Sequence, residues 1–151
     1  MFAAASEGFD QILWLDGDEH AYAEEAGQMN IFFRIGDEVI TPELSGTILP
    51  GVTRDSVLSL LKQWGIKATA RRISMAELRK AAESESLLEI FGAGTAAVVV
   101  PVDSIQYQDF DIRACPPSAN SLSQRLFQSL LAIQHGQVDD TNNWIQFVDI
   151  E

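Results

Sequence analysis

Cysteine is almost absent from this 151-residue chain, with Cys115 standing alone. A disulfide within the chain is excluded, and a cysteine-based zinc centre nearly so. Histidine is as scarce: only His20 and His135 occur, so most metal-site ligand sets cannot be assembled. Basic residues are few as well. Ten Lys and Arg face 22 Asp and Glu, a formal net charge of -12. A phosphate backbone or an anionic bilayer repels such a surface, so neither nucleic acid nor a membrane is an expected partner. Long apolar runs are missing too, the longest lying around Thr95 to Val102, far short of a bilayer span. Met1 to Gly8 has no basic stretch ahead of an apolar core and does not read as a secretory signal. Together these absences point to a cytoplasmic chain.

What is present fits one packed domain, 1–151. Hydrophobic residues make up 46% and charged residues 21%, too apolar for a disordered segment. Residues 2–7 read as the last turns of a helix stopped by Gly8, and Gln11 to Leu15 as a buried strand. Asp16 to Glu25 is acidic and glycine-interrupted, hence a loop. Met29 to Ile35 and Glu38 to Thr41 read as a hairpin across Gly36-Asp37. Val57, Leu60, Leu61 and Trp64 recur at helical spacing in a helix from Thr53 that Gly65 closes. Lys67 to Arg72 alternates like a strand, and Ser74-Met75-Ala76-Glu77 opens a second helix as a capping box. Leu87 to Phe91 and Val98 to Val102 read as strands separated by Gly92-Ala93-Gly94-Thr95. Ile105 and Tyr107 suggest another strand, ended by Pro116-Pro117. Leu122 to Ile133 is a final amphipathic helix before Gly136, and Trp144 to Val148 a tail. This irregular alternation predicts an α+β fold with mixed sheets and packed helices. The expected core includes Leu13, Ile31, Phe33, Leu60, Trp64, Val99 and Leu130.

Three segments are polar or glycine-rich where the core pattern predicts otherwise. In Leu49-Pro50-Gly51-Val52-Thr53, a turn delivers the chain into a helix start, whose unpaired N–H groups can hold an anion. The plainer reading is a capped helix. In Phe91-Gly92-Ala93-Gly94-Thr95, small residues let a ligand approach the backbone and Thr95 can donate to a phosphate or carboxylate; a glycine-permitted bend is again the plainer reading. Two such cradles in so acidic a chain favour a phosphate-bearing cofactor. In Glu24-Glu25-Ala26-Gly27-Gln28-Met29-Asn30, a carboxylate beside Gly27 can face a pocket, or belong to a solvated loop. Asp16, Asp18 and His20 do not start a calcium loop, because the twelfth position is Gly27 rather than Glu. No Gly-x-Ser-x-Gly elbow occurs, and His135 suits a helix end.

These segments resemble the branched-chain amino acid aminotransferases, pyridoxal-phosphate enzymes of fold type IV. The resemblance is carried in order and spacing by Gln11 to Gly17, Glu24 to Phe33, Gly46 to Arg54 and Phe91 to Ala96, with Gln134-His135-Gly136 and Trp144 similar to the closing segment. It implies that Glu25 pairs with the cofactor's pyridine nitrogen. Val52 and Thr53 would hold its phosphate through their N–H groups and the Thr hydroxyl, with Thr95 as a second phosphate-binding hydroxyl. The Thr95 and Ala96 amides would take the substrate carboxylate. Implied partners are branched-chain amino acids and 2-oxo acids, with a homo-oligomer in the full-length form.

The family is about twice as long, so the chain resembles its carboxy-terminal domain alone. The resemblance puts the Schiff-base lysine upstream of Gln11 to Leu15, before Met1. Lys62, Lys67 and Lys80 are the lysines present, and none stands in that context. Ala97 and Val100 replace a Cys-x-x-Cys pair that some members use as a redox switch. Expected, then, is an aminotransferase portion inactive alone, with pyridoxal phosphate held weakly or not at all by the isolated chain. The alternatives are a non-catalytic binding domain, or half of a split enzyme completed in trans.

Overall fold

The hairpin expected from Met29 to Thr41 forms the middle of the molecule. The computed structural model describes residues 8–116, 121–146 and 148. The expected helix at residues 2–7 and Pro117 lie outside these. In chain order the elements are β1 (Leu13–Leu15), β2 (Ala23–Ala26), β3 (Met29–Ile35), β4 (Glu38–Thr41), α1 (Val52–Gln63), β5 (Lys67–Ala70), α2 (Met75–Glu83), β6 (Leu87–Gly94), β7 (Val98–Pro101), β8 (Ser104–Tyr107), β9 (Phe110–Arg113) and α3 (Leu122–Gln134).

Strand β3 is apolar on both faces over Ile31-Phe32-Phe33, all fully buried, and both of its edges are paired. One edge runs antiparallel to β6 from Asn30 to Ile35. The other edge is shared: β2 takes its start, with Glu25 opposite Asn30, and β4 its end, with Phe33 opposite Ile40. At this fork the Thr41 hydroxyl donates to the Ile31 carbonyl at 2.8 Å, satisfying a buried acceptor between the two partner strands. Outside these lie β1 antiparallel to β2, β7 antiparallel to β6, and β5 parallel to β4, completing a mixed seven-stranded sheet. β8 and β9 pair separately.

Helices cover both faces. On one, Phe32 and Phe91 stack with ring centroids 5.0 Å apart, beneath Val57, Leu60 and Leu61 of α1 and Leu126 and Leu130 of α3. On the other, Ile31, Phe33 and Ile90 meet Met75, Leu78 and Ala81 of α2, with Ile105 and Ile112 of the small sheet. This is the expected α+β arrangement. Of the expected core, Leu13 and Trp64 are only half-buried, the Trp64 ring lying 3.7 Å beneath the Arg125 guanidinium.

Both serine caps form. Ser74 accepts from the Glu77 amide and Ser121 from the Gln124 amide. The capping box at Ser74 is one-sided, because the Glu77 carboxylate pairs with Arg71 instead. Four expectations need correction. The strand expected to be buried over Gln11 to Leu15 is the shorter β1, half-buried at Leu13 and Leu15 with Trp14 exposed. The acidic loop Asp16 to Glu25 ends inside a strand, β2. The glycines at 92 and 94 do not separate two strands but lie within β6. A ninth strand, β9, completes a hairpin of which only the first half was legible.

Candidate functional site

A single rung crosses five strands. Trp14 opposes Glu25, Glu25 opposes Asn30, Asn30 opposes Ala93, and Ala93 opposes Val99. Directly opposed residues share a face of the sheet, here the face that α1 and α3 cover. The rung lies at the end of that face where α1 begins.

The helix start is tied to the rung by side chains. Asn30, 5% exposed, donates from Nδ2 to Glu25 Oε1 at 3.2 Å and to the Leu49 carbonyl at 2.9 Å. The Leu49 amide donates to the same Glu25 oxygen at 3.2 Å. Both bonds fall on Oε1, and Oε2 has no hydrogen-bond partner among the described residues. Gly51 is the N-cap of α1 and supplies no capping side chain, unlike Ser74 and Ser121. The first-turn N–H groups of α1 therefore keep their capacity for an anion. A Cβ at Gly51 would meet Asn30 Oδ1 at 2.2 Å, so only glycine fits there without displacing the carboxamide. Val52 is 84% exposed and Thr53 half-buried. Arg54 is buried behind this start, with Nη2 donating to the Pro42 carbonyl at 3.0 Å. Burial pushes its guanidinium down from the usual range, against the pull of Asp55.

Thr95 and Ala96 occupy the turn between β6 and β7, just beyond Ala93, and both are exposed. Val98 leaves that turn at φ 57°, a left-handed conformation costly for a β-branched residue and held by the β6–β7 pairing. Gly92 and Gly94 face away from the rung. The Met29 side chain lies across them, 3.0 Å and 3.1 Å from where their Cβ atoms would be, so these glycines admit a thioether rather than a ligand.

Glu25 and the helix start carrying Val52 and Thr53 are thus bonded together through Asn30 and Leu49. Thr95 and Ala96 reach the same end of the sheet through the rung, with no direct hydrogen bond to either among the described residues. The three lysines lie elsewhere. Lys62 is about 15 Å along α1 from Val52 at 1.5 Å per residue, Lys67 pairs with Glu38 at 3.1 Å, and Lys80 is exposed on α2. Glu24 accepts from the Thr47 hydroxyl at 2.7 Å. His135 caps α3, as a residue suited to a helix end should. Among the described residues no cluster of His, Cys, Asp or Glu could hold a metal, and no helix is long and apolar enough to cross a membrane. Sequence reasoning gives Asn30 no role of its own; a buried amide in an otherwise apolar strand was the available signal.

Residues 1–105 match the family described as Amino-transferase class IV. The chain belongs to it. Among class IV amino-transferases it is 45% identical over 137 residues to a probable branched-chain-amino-acid aminotransferase of Staphylococcus aureus, covering 91% of this chain and 38% of that protein. It is 43% identical over 141 residues to branched-chain-amino-acid aminotransferase 2 of Bacillus subtilis, 93% of this chain and 39% of that one. The chain therefore spans about two fifths of the length of these relatives. In structure it is similar to the T.th. branched-chain amino acid aminotransferase complexed with N-(5'-phosphopyridoxyl)-L-glutamate, at TM-score 0.80 and 28% identity over 98% of this chain and 45% of that one. The Escherichia coli branched-chain enzyme gives TM-score 0.77 and 26% identity, over 95% and 44%. The fold type IV architecture is thereby shared.

Proposed function

We propose that this chain is the cofactor-binding, carboxy-terminal part of a branched-chain amino acid aminotransferase. The observation that carries the reading is the clasp joining Glu25 to an uncapped helix start, with a carboxylate oxygen free at one end and amide donors at the other. These residues fit pyridoxal phosphate, which when bound supplies an electron sink for charge developing at the substrate Cα. Glu25 Oε2 holds the proton on the ring nitrogen. The amides of Val52 and Thr53 and the Thr53 hydroxyl hold the phosphate, and Thr95 adds a second hydroxyl. The amides of Thr95 and Ala96 orient the carboxylate of leucine, isoleucine, valine or their 2-oxo acids.

Transamination also needs an amine that moves a proton at the substrate Cα, held within hydrogen-bond reach. Lys62, Lys67 and Lys80 are all away from the site, and neither Glu25 nor Thr95 can replace an amine. The isolated chain with excess pyridoxal phosphate is expected to form no glutamate from a branched-chain amino acid and 2-oxoglutarate above the cofactor-only control. Within a full-length chain, Glu25→Gln is expected to impair turnover. Turnover by the isolated chain that disappears in Lys62→Ala, Lys67→Ala or Lys80→Ala would overturn the assignment of roles. The same observation about the lysines supports a second reading, in which a separate chain supplies the amine in trans.

A further inference from the structure

We propose that Asn30 is a positioning residue that sets the spacing between the Glu25 carboxylate and the amides opening α1, and so gauges the length of the ligand the site accepts. The inference rests on the functional reading above and assigns a role to a residue that reading leaves unused. A carboxamide nitrogen carries two hydrogens. In Asn30 one goes to Glu25 Oε1 at 3.2 Å and the other to the Leu49 carbonyl at 2.9 Å. The Leu49 amide closes the triangle on the same carboxylate oxygen at 3.2 Å. On the other side of the carboxamide, Oδ1 sits 2.2 Å from where a Cβ of Gly51 would be. Asn30 itself is anchored on both edges, opposite Glu25 in β2 and opposite Ala93 in β6.

One buried side chain thus spans β2, β3 and the entry to α1. Moving Glu25 relative to the helix start breaks at least one of its bonds and strands a buried polar group. A ligand with a ring N–H at one end and a phosphate at the other gains from this fixed span, because its second contact forms without further ordering. A lone phosphate needs only the helix start and gains nothing from the gauge.

The test compares two probes, pyridoxal phosphate and inorganic phosphate, on the 151-residue chain. Asn30→Ala is expected to weaken pyridoxal phosphate by about tenfold or more while changing inorganic phosphate by less than about twofold. Gly51→Ala provides a second variant that keeps Asn30. At φ -67° and ψ 135° an alanine adopts the backbone freely, so its effect comes through the contact with Oδ1. It should reproduce the selective loss, and the double variant should be no worse than Asn30→Ala, since the contact is already gone. Amide exchange gives a readout without ligand: the Leu49 amide should exchange faster in both single variants, with the Leu61 amide of α1 unchanged. If the Asn30→Ala chain does not fold, Gly51→Ala decides alone. Loss of both probes in parallel, or of neither, overturns the gauge alone. A wild-type chain that binds pyridoxal phosphate no better than inorganic phosphate overturns the functional reading and the gauge together, and the failure is then visible without any variant.

Discussion

Asp16 accepts the amides of Glu19, Ala21 and Tyr22, each at 2.8 Å, and faces Arg72 at 3.6 Å. The bonds from Glu19 and Tyr22, against some burial and with help from Ala21 and Arg72, draw its carboxyl from 3.8 down to about 2. The unfolded chain therefore takes up the proton first as pH falls, and the loop's stabilisation, full at neutral pH, is lost between those two values. Asp16→Ala should lower the urea midpoint at neutral pH, and its gap from wild type should close on titration through that window. Glu89 is held in the same way. Its side chain, 10% exposed, accepts from the Leu122 and Ser123 amides and the Ser123 hydroxyl and pairs with Arg34 at 3.0 Å. Burial pushes this carboxyl up, but those donors outweigh it, so it titrates below its usual range and also stabilises the fold towards neutral pH. Glu89→Gln leaves α3 with a weaker anchor and should cost about 1–3 kcal/mol in chemical denaturation.

The fork of β2 and β4 on one edge of β3 depends on the Thr41 hydroxyl. Thr41→Val keeps the shape but orphans the Ile31 carbonyl, at a cost of about 1–3 kcal/mol by thermal or urea unfolding. Such forks explain what the sequence hides. Helices α1 and α3 are legible because Val57, Leu60 and Leu61, or Leu126, Leu130 and Ile133, recur on one buried stripe. β2 is not: Ala-Glu-Glu-Ala carries no β-branched or aromatic residue, and its strand state comes from neighbours on both sides. Gly92 and Gly94 look like a breaker locally, yet their cause is the Met29 side chain on another strand. At the site, Glu25, Val52, Thr53 and Thr95 stand out through motif and helix-start chemistry. Asn30 does not, because its partners Glu25 and Leu49 converge only when β2 and the α1 entry close around β3.

Apolar surface concentrates near the candidate site. Trp14, opposite Glu25, is 54% exposed, and Leu49, bonded to Glu25 and Asn30, is 66% exposed, beside the bare Val52. In the proposed reading, in which the chain is part of a larger enzyme, these side chains would be covered by another surface. The isolated chain is expected to self-associate in light scattering as concentration rises, and Leu49→Ser with Val52→Ser should reduce that association. A monomer at all concentrations would show that these side chains tolerate water unaided.

The rung through Trp14, Glu25, Asn30, Ala93 and Val99 also has a consequence in time. Its first and last members are separated by more than half of the chain, and such long loops close late because their entropy must be met before the contacts form. A ribosome that has released only β1 to β4 has made the acidic residue and its asparagine, but not the strand that holds the asparagine from the far side. On the proposed reading, cofactor capture then waits for β6 and β7 to emerge, and binding competence would mark a finished sheet rather than a nascent one.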